Sequence, residues 1–371
     1  MKFWRHSWLS GRFVQDKETP GYRRFVNNTT DKILSGMLVE QRQSIEQQMK
    51  GYRFHSKLNT SHMKDLVPEE GGQPVRSIIV TTWRSGSTFL GDILSSHPGT
   101  FYHYEPLHDF GIKQIRYGDD AAQALLNLKH LLNCEYSEME HLIKHARSYT
   151  CVFDKNKVLW NRCKTFPDLC RKSELLSPFC SLFPFQSLKT VRLRLNLTEE
   201  LLEDKKLGVR LLFLVRDPRG TLQSRRNKVW CSGKKDCDDP ETLCKDLVRD
   251  YITASIFRRK FPESFRAVRY EDVSFNAFNK TKELLDFFRL DFHPNIQKFL
   301  QTHTSRNKGN AFSTFRDSKK APVHWQKEMP WKKAQRIQGV CGKALRLWGY
   351  EIAQSEEHLR SFMPVGPLEL L

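Results

Sequence analysis

Three short apolar runs, each followed by a turn and a helical pattern, define the predicted core of this chain. The first run covers residues 75–81 (VRSIIVT), and an apolar periodicity typical of a helix follows over 88–94. The second covers 207–215 (LGVRLLFLV), and a basic helical stretch begins at Thr221. The third covers 267–270 and also precedes an amphipathic pattern. Strands that alternate with helices predict an α/β fold with a mostly parallel sheet.

The same pattern divides the chain into three parts. Residues 1–72 are polar and end in PEEGGQP, which predicts an N-terminal stem or linker. Residues 73–355 form the predicted α/β domain, and residues 356–371 form a C-terminal tail. No apolar stretch is long enough for a transmembrane helix, and the first residues lack the apolar centre of a secretory signal.

Composition and charge exclude a disordered chain and predict an anionic partner. Of the 371 residues 39% are hydrophobic and 12% aromatic, which is enough to build a core. The net charge is +19, and residues 205–235 and 306–346 each contribute +9 of it. This excess suits nucleic acid, a membrane surface, a nucleotide or an acidic polysaccharide. No helix-turn-helix, zinc-finger, RRM or KH signature supports nucleic acid.

Cysteines and glycosylation sequons favour a lumenal protein. None of the nine cysteines stands in a C-x-x-C pair, so we expect no zinc site and no other metal site. Eight paired cysteines allow 105 connectivities, and the sequence does not choose among them. The sequons lie at Asn27, Asn28, Asn59, Asn196 and Asn279.

A first candidate anion site lies between the first strand and its helix, in residues 82–88 (TWRSGST). Successive backbone N–H groups at such a junction form an anion cradle that the helix dipole reinforces. Gly86 permits close approach of the backbone to a phosphate, and Arg84 adds a fork of donors. A Walker A loop is excluded because its lysine and second glycine are missing. The alternative is an ordinary turn in which Ser87 or Thr88 caps the helix.

A second candidate anion site follows the second strand. Arg216 ends that strand and can aim two donors at a phosphate, and Ser224 lies one to two helical turns further on. Asp217 is expected to orient Arg219 or to cap the helix. The alternative is a strand end followed by a solvated basic helix. Both loops lie at the carboxyl edge of the predicted sheet, where such folds bind ligands, so they imply a ligand with two phosphate-like ends.

Both loops resemble those of the Golgi carbohydrate 6-O-sulfotransferases, which include the chondroitin, keratan and N-acetylglucosamine enzymes. The stretch TTWRSGSTFLGDILSSHPGTFYHYEPLH is similar to their 5′-phosphosulfate loop, T-x-R-S-G-S-[ST]-F followed by H-P and Y-E-P-L. The stretch RDPRGTLQSR is similar to their 3′-phosphate motif, R-D-P-R-x-x-x-x-S-R. The resemblance covers roughly residues 73–352. It departs from the family at His108, where Trp is common, and at Gln326, where Arg is usual.

The resemblance implies a PAPS-dependent sulfotransferase with a P-loop-like, three-layer fold. PAPS (3′-phosphoadenosine 5′-phosphosulfate) would be the co-substrate, without a metal. The acceptor would be the 6-hydroxyl of galactose, N-acetylgalactosamine or N-acetylglucosamine in an acidic glycan or glycosaminoglycan, and no nucleic acid is expected as a partner. The family also implies the Golgi lumen and an N-terminal membrane anchor. Since no such anchor is visible here, we expect a truncated sequence or an alternative start.

The resemblance also implies a set of donor-binding residues. In the first loop they are Arg84, Ser85, Gly86, Ser87, Thr88, Phe89 and Leu90. In the second loop they are Arg216, Asp217, Pro218, Arg219, Gly220, Thr221, Leu222, Gln223 and Ser224. Arg316 belongs to a later segment, 311–325, that closes over the nucleotide in the family and ends at Trp325. Residues 269–272 (RYED) are expected to be structural, with Glu271 or Asp272 holding loop arginines.

Sulfuryl transfer to a hydroxyl requires a general base, and Glu105 is the first candidate. The aromatic segment 101–104 before it would raise the pKa of its carboxyl by desolvation. The alternative role for Glu105 is an ion pair with Arg84, which itself would stabilise charge in the transition state. His108 is the second candidate base. The competing functions are a nucleotide-dependent P-loop kinase and a basic nucleic-acid-binding module.

Overall fold

Five parallel strands form one sheet at the centre of the computed structural model, which describes residues 20–305 and 314–370. The strands are β1 (Val75–Val80), β2 (Thr100–Tyr104), β3 (Phe185–Thr190), β4 (Arg210–Val215) and β5 (Phe265–Arg269). Their order across the sheet is β2-β3-β1-β4-β5, and every neighbouring pair is parallel. The prediction of an α/β fold with a parallel sheet is therefore confirmed.

Helices cover both faces of this sheet. Those before the second loop are α1 (Pro20–Gln48), α2 (Ser87–Ser95), α3 (Asp119–Leu132), α4 (Glu140–His145), α5 (Cys151–Asp154), α6 (Lys157–Arg162), α7 (Ser173–Ser181) and α8 (Glu199–Glu203). The later ones are α9 (Pro218–Arg225), α10 (Lys235–Asp238), α11 (Pro240–Lys260), α12 (Tyr270–Phe275), α13 (Ala277–Phe288), α14 (Pro294–His303), α15 (Trp325–Glu328), α16 (Trp331–Leu347) and α17 (Glu356–Ser361).

Alternation along the central strands supplies a separate core to each face. Ile79 of β1 shares one core with residues of α2 and α13, among them Leu90 and Leu285. Ile78, its neighbour in the same strand, shares the other core with residues of α11 and α16, among them Leu247. Successive strand side chains point to opposite faces, so a fully apolar strand must be covered on both sides. The three-layer architecture follows from this pattern.

Two strands of the sheet are missing from the sequence-based prediction. β2 coincides with the aromatic segment 101–104, and β3 (FQSLKT) was not predicted at all. β3 contains Gln186, Ser187 and Lys189 between its apolar residues, yet all of its residues are buried. A buried charge needs a partner, and Lys189 finds its partner, Glu105, 84 positions away in the sequence. The local pattern therefore gave no indication of a central strand.

The predicted N-terminal stem contributes to the folded core. Helix α1 occupies residues 20–48, and its Leu34, Met37 and Ile45 are buried in the core that also contains residues of α7. This part of the segment is packed helix and not an extended linker. The division into stem, catalytic domain and tail stays a prediction. Within residues 20–305 and 314–370, none of the helices is both long and apolar enough to cross a membrane.

Four disulfides join eight of the nine cysteines. The pairs are Cys134–Cys180, Cys163–Cys170, Cys231–Cys237 and Cys244–Cys341, and Cys151 remains a thiol. Two of the bridges close the helical region between β2 and β3, and a third ties α11 to α16. Cys231–Cys237 closes the loop directly after α9, next to the second candidate anion site.

Candidate active site

A cleft of about 690 Å³ opens at the carboxyl edge of the sheet. Every strand contributes to its lining, through Arg84 after β1, Glu105 after β2, Lys189 in β3, Arg216 after β4 and Tyr270 after β5. Its volume lies within the range of small-molecule and cofactor sites. The predicted position of the ligand site is therefore where the structure has its cleft.

The first loop has the backbone of an anion cradle. Arg84 and Gly86 both adopt left-handed conformations, with φ of 68° and 88°. A Cβ atom on Gly86 would lie 2.2 Å from the Tyr270 ring, so only glycine fits there. Helix α2 begins at Ser87 without a side-chain cap, which removes the alternative of an ordinary capping turn. Ser85 Oγ is buried and has no hydrogen-bond partner within the described part of the chain.

A buried ion pair between Asp217 and Arg219 stabilises the second loop. The Asp217 carboxylate accepts from the Arg219 backbone N–H at 2.8 Å and from its Nη2 at 2.7 Å. Both side chains are fully buried, and the Arg219 guanidinium lies 4.8 Å from the ring centroid of Trp325. Asp217 therefore caps α9 and orients Arg219, as expected. Neither side chain lines the cleft, so both support the loop from behind the lining, and their part in donor binding stays a prediction.

The two loops contact each other through their arginines. Arg216 Nη1 donates to the Arg84 carbonyl at 2.8 Å, and Arg84 Nε donates to Ser224 Oγ at 3.1 Å. Arg216 also lies over the Tyr270 ring at 4.7 Å, and its buried Nε has no hydrogen-bond partner among the described residues. Burial, followed by the charges of Arg216 and Arg316, lowers the pKa of Arg84. Such a concentration of like charge favours a bound anion.

Glu271 holds the second loop through its backbone and not through an arginine. Its carboxylate accepts from the Asp217 N–H at 3.1 Å and from the Tyr350 hydroxyl at 2.8 Å. Burial, with the charge of Asp217 adding to it, raises the pKa of Glu271 to about 7. Asp272 binds Arg269, 2.8 Å away, which belongs to β5 and not to either loop. The segment is structural, but the expectation that it holds loop arginines is wrong.

Glu105 lies at the other end of the cleft, between two cations. Lys189 Nζ donates to its Oε1, and Arg192 Nη1 donates to its Oε2 at 2.9 Å. All three side chains are buried, and the backbone of Glu105 is left-handed with a φ of 47°. Although burial opposes it, the carboxylate raises the pKa of Lys189. The predicted alternative partner, Arg84, does not form this ion pair.

The surroundings of Glu105 also differ from the predicted aromatic ones. Tyr104 is near, but its ring faces Lys189 Nζ at 4.1 Å, and the carboxylate itself meets two charges. Sequence reasoning missed Lys189 and Arg192. No local signal marks them, because the stretch FQSLKTVR has two polar residues after each of Phe185 and Leu188 and so lacks the alternation of a strand.

His108 lies outside the cleft lining. Its Nδ1 is 2.8 Å from Nε2 of His145, and its ring contacts Tyr149. Burial, with the charge of Arg192 adding to it, lowers the pKa of His108 to about 4. A base must reach the proton that it removes, so the position of His108 argues against this second candidate.

The predicted donor-binding residues fall into two groups. Those that line the cleft are Arg84, Gly86, Ser87, Thr88, Phe89, Arg216, Gly220, Gln223, Ser224 and Arg316. Those buried behind the lining are Ser85, Leu90, Asp217, Pro218, Arg219, Thr221 and Leu222. Trp325 also lines the cleft, whereas residues 311–313 of the predicted closing segment lie outside the described part of the chain.

Comparisons with known proteins place the chain in one family. A model of the sulfotransferase family matches residues 77–294, which is more than half of the chain. Mouse carbohydrate sulfotransferase 5 is 27% identical over 334 residues, covering 77% of this chain and 83% of that protein. Human carbohydrate sulfotransferase 1 is 26% identical over 333 residues, covering 76% and 81%.

Among solved structures, mouse sulfotransferase SULT7A1 complexed with PAP is 12% identical and covers 73% of this chain and 84% of that one, with a TM-score of 0.39. That score is too low to support an argument. The family match and the parallel sheet do not depend on it. The chain belongs to the sulfotransferase family.

Proposed function

We propose that this protein transfers the sulfuryl group of PAPS to the 6-hydroxyl of galactose, N-acetylgalactosamine or N-acetylglucosamine in an acidic glycan. The observation that carries the proposal is the contact between the two loops, in which Arg84 meets both Arg216 and Ser224 beside a cleft that also contains Glu105. The carbohydrate sulfotransferases among its relatives support a sugar acceptor.

The residues present fit a donor with two phosphate groups. The backbone N–H groups of residues 85–88 and the Arg84 side chain would hold the 5′-phosphosulfate, because helix N-termini favour anions. Arg216 and Ser224 would hold the 3′-phosphate, and the unpaired buried Nε of Arg216 is a donor that needs an acceptor. When bound, PAPS supplies a sulfuryl group attached to a phosphate leaving group.

Glu105 is the proposed general base. An ionised carboxylate offers about four lone-pair sites, and the two cations occupy one on each oxygen. Capacity therefore remains to accept the proton of a sugar hydroxyl. As that oxygen forms its bond to sulfur, the bond from sulfur to the phosphate oxygen breaks, and the proton passes to Glu105. Arg84 would stabilise the charge that develops on the leaving phosphate.

Membership of the sulfotransferase family weighs against the kinase and nucleic-acid alternatives. Retention on 3′,5′-ADP agarose separates all three. Elution by PAPS but not by ATP is expected, whereas elution by ATP alone would favour a kinase and failure to bind would remove support for the donor site.

The activity is tested with ³⁵S-labelled PAPS and three acceptors: chondroitin, desulfated keratan and N-acetyllactosamine oligosaccharides. We expect label in at least one acceptor, and NMR of the product should locate the sulfate at C6. No transfer to any of them would contradict the function. A sulfate at another carbon would overturn only the 6-O assignment.

We also assign the protein to the Golgi lumen. Four disulfides require an oxidising compartment, and the sequon residues Asn59, Asn196 and Asn279 are exposed. Peptide N-glycosidase should increase the gel mobility of protein expressed in animal cells. Unchanged mobility, together with reduced cysteines, would contradict the assignment.

A further inference from the structure

One wall of the cleft has no role in the proposed donor site. It consists of Trp83 from the first loop, Val191 after β3, and Asn227, Lys228 and Trp230 from the loop after α9, all of which line the cleft. The wall combines two indoles, an apolar side chain, an amide and an ammonium group, and sequence reasoning assigned a function to none of them. Its position and chemistry indicate what it binds, provided that the proposed function holds.

The order of the strands decides which side of the cleft this wall occupies. β4 and β5 lie on one side of β1, and β3 and β2 lie on the other. The two phosphate loops follow β1 and β4, so the donor occupies the half of the cleft that ends at Tyr270 after β5. Glu105 and Lys189, from β2 and β3, belong to the opposite half. The hydroxyl that attacks must approach from there.

A small buried cluster links Trp230 to the half of the cleft that contains Glu105. Trp83, Val191 and the disulfide between Cys231 and Cys237 form a buried group, and Trp230 packs against it. Val191 follows β3 directly and is separated by one residue from Lys189. The disulfide closes the loop immediately after Trp230, which holds this indole at the rim of the cleft.

A second contact links the same cluster to the base. The Arg192 guanidinium lies 5.6 Å from the ring centroid of Trp83 and donates to Glu105 at 2.9 Å. The aromatic wall and the base are therefore parts of one connected structure. A ligand resting on Trp230 would lie beside Glu105 and next to the first loop.

The chemistry of the wall suits a sugar that carries a neighbouring negative charge. A pyranose ring presents a face of C–H groups, which packs well on an aromatic surface, and Trp230 is half-exposed. Lys228, two residues earlier, also lines the cleft and supplies an ammonium group to the same wall. We infer that Trp230 is the platform for the acceptor sugar and that Lys228 binds a carboxylate or sulfate on the adjoining sugar.

The test compares three variants on the same loop, Trp230→Ala, Lys228→Gln and Val229→Ala. Val229 is the matched control because it stands between the other two, is 95% exposed and does not line the cleft. The acceptors are a chondroitin oligosaccharide and the same oligosaccharide with its carboxyl groups reduced to alcohols. The measured quantities are the acceptor KM, kcat and the Kd for PAP.

Trp230→Ala should raise the KM for both acceptors about tenfold, as expected for the loss of an aromatic contact, and leave the Kd for PAP within twofold. Lys228→Gln should raise the KM about fivefold for the native oligosaccharide only, because the reduced one has lost the partner charge. Val229→Ala should match the wild type. An unchanged acceptor KM in Trp230→Ala, or an equal loss of PAP affinity, would overturn the platform.

The proposed function and this inference can fail separately. Calorimetry of oligosaccharide binding to the PAP-loaded enzyme needs no turnover. If the wild type binds the oligosaccharide without sulfating any acceptor, and Trp230→Ala weakens that binding about tenfold, the function fails and the platform stands. If the wild type transfers sulfate and all three variants bind acceptor equally, only the platform fails. Equal use of native and reduced oligosaccharides by the wild type would remove the role of Lys228.

Discussion

The two halves of the cleft differ in how their charges are balanced. The donor half is the part of the cleft at the carboxyl ends of β1, β4 and β5. There Arg84 and Arg216 face the cleft, and the nearby carboxylates of Asp217 and Glu271 are buried behind the second loop. The acceptor half is the part of the cleft at the carboxyl ends of β2 and β3. There Lys189 and Arg192 both form direct ion pairs with Glu105.

This difference distinguishes two kinds of ligand. An excess of positive charge suits a donor that brings its own phosphates, because a cluster of like charges favours a bound anion. A carboxylate held by two cations beside indole rings suits a neutral hydroxyl on a sugar ring. The comparison predicts that substitutions in one half alter donor binding and that substitutions in the other alter chemistry and acceptor binding.

Replacing the proposed base should give the largest effect. Glu105→Gln should lower kcat by about 1,000-fold, since general base catalysis contributes on this order, and leave the Kd for PAP within twofold. Glu328→Gln is the control, because Glu328 also lines the cleft but lies beside His324, 3.3 Å away. Retained turnover in Glu105→Gln would show that the base is elsewhere, and a similar loss in Glu328→Gln would point to that residue.

Ionisation of Glu271, which lies behind the donor half, should make the free energy of unfolding depend on pH. Its folded pKa of about 7 lies above the unfolded value of 4.5, so the folded state holds more protons between these values. Stability contributed by the neutral carboxyl is therefore present below pH 4.5 and is lost as the pH rises to 7. The loss amounts to about 3 kcal/mol in the free energy of unfolding.

Glu271→Gln should remove this contribution, since an amide does not ionise. Urea denaturation gives the free energy of unfolding of both proteins at pH 4.5 and pH 8. The difference between the two proteins isolates the contribution of Glu271, because the other titrating groups are the same in both. The variant should gain stability relative to the wild type as the pH rises. An equal pH dependence in the two proteins would mean that Glu271 is ionised in the fold at low pH.

Removing the Arg216 guanidinium should affect the donor half alone. Arg216→Gln should raise the Kd for PAP about 50-fold, the loss expected for a charge-assisted hydrogen-bonded contact. The acceptor KM should remain unchanged at saturating PAPS. Arg226→Gln, an exposed position at the end of α9, is the matched control for net charge. Equal losses in the two variants would indicate general electrostatic attraction instead of a specific contact.

The smallest expected effect comes from adding one methyl group to the first loop. Gly86→Ala should raise the Kd for PAP about tenfold and lower the free energy of unfolding by about 1–3 kcal/mol, because of the φ of 88° and the clash with Tyr270. Gly118→Ala carries similar strain, with a φ of 73°, but meets no atom within 4 Å. It should lose stability without losing PAP affinity. Equal PAP affinity in both variants would argue against a phosphate at Gly86.

The donor half was largely predictable because its features are local in the sequence. A strand, a turn and a helix within about a dozen residues determine an anion cradle, so residues 82–88 and Arg216 with Ser224 could be recognised from their order alone. Even there, the sequence did not separate the residues that face the cleft from those behind it. Asp217 and Arg219 look like ligands in the motif, and burial shows that they support it.

The acceptor half depends on residues that are distant in the chain. Glu105 lies 84 positions from Lys189, and the pair forms because β2 and β3 are neighbours in the sheet. Trp83 and Trp230 come together in the same way, through a strand order and a disulfide that no local pattern specifies. His108 became the second candidate base because its chemistry could be read from the sequence, whereas its position outside the cleft lining could not.

The sequence by itself determined the alternation of strands and helices, the two anion loops and the excess of positive charge, because each is set by neighbouring residues and local backbone geometry. The tertiary structure alone decided which cations pair with Glu105, which loop residues face the cleft and which side chains form the wall around Trp230. Those outcomes depend on burial and on contacts between distant segments, which arise only when the parallel sheet assembles.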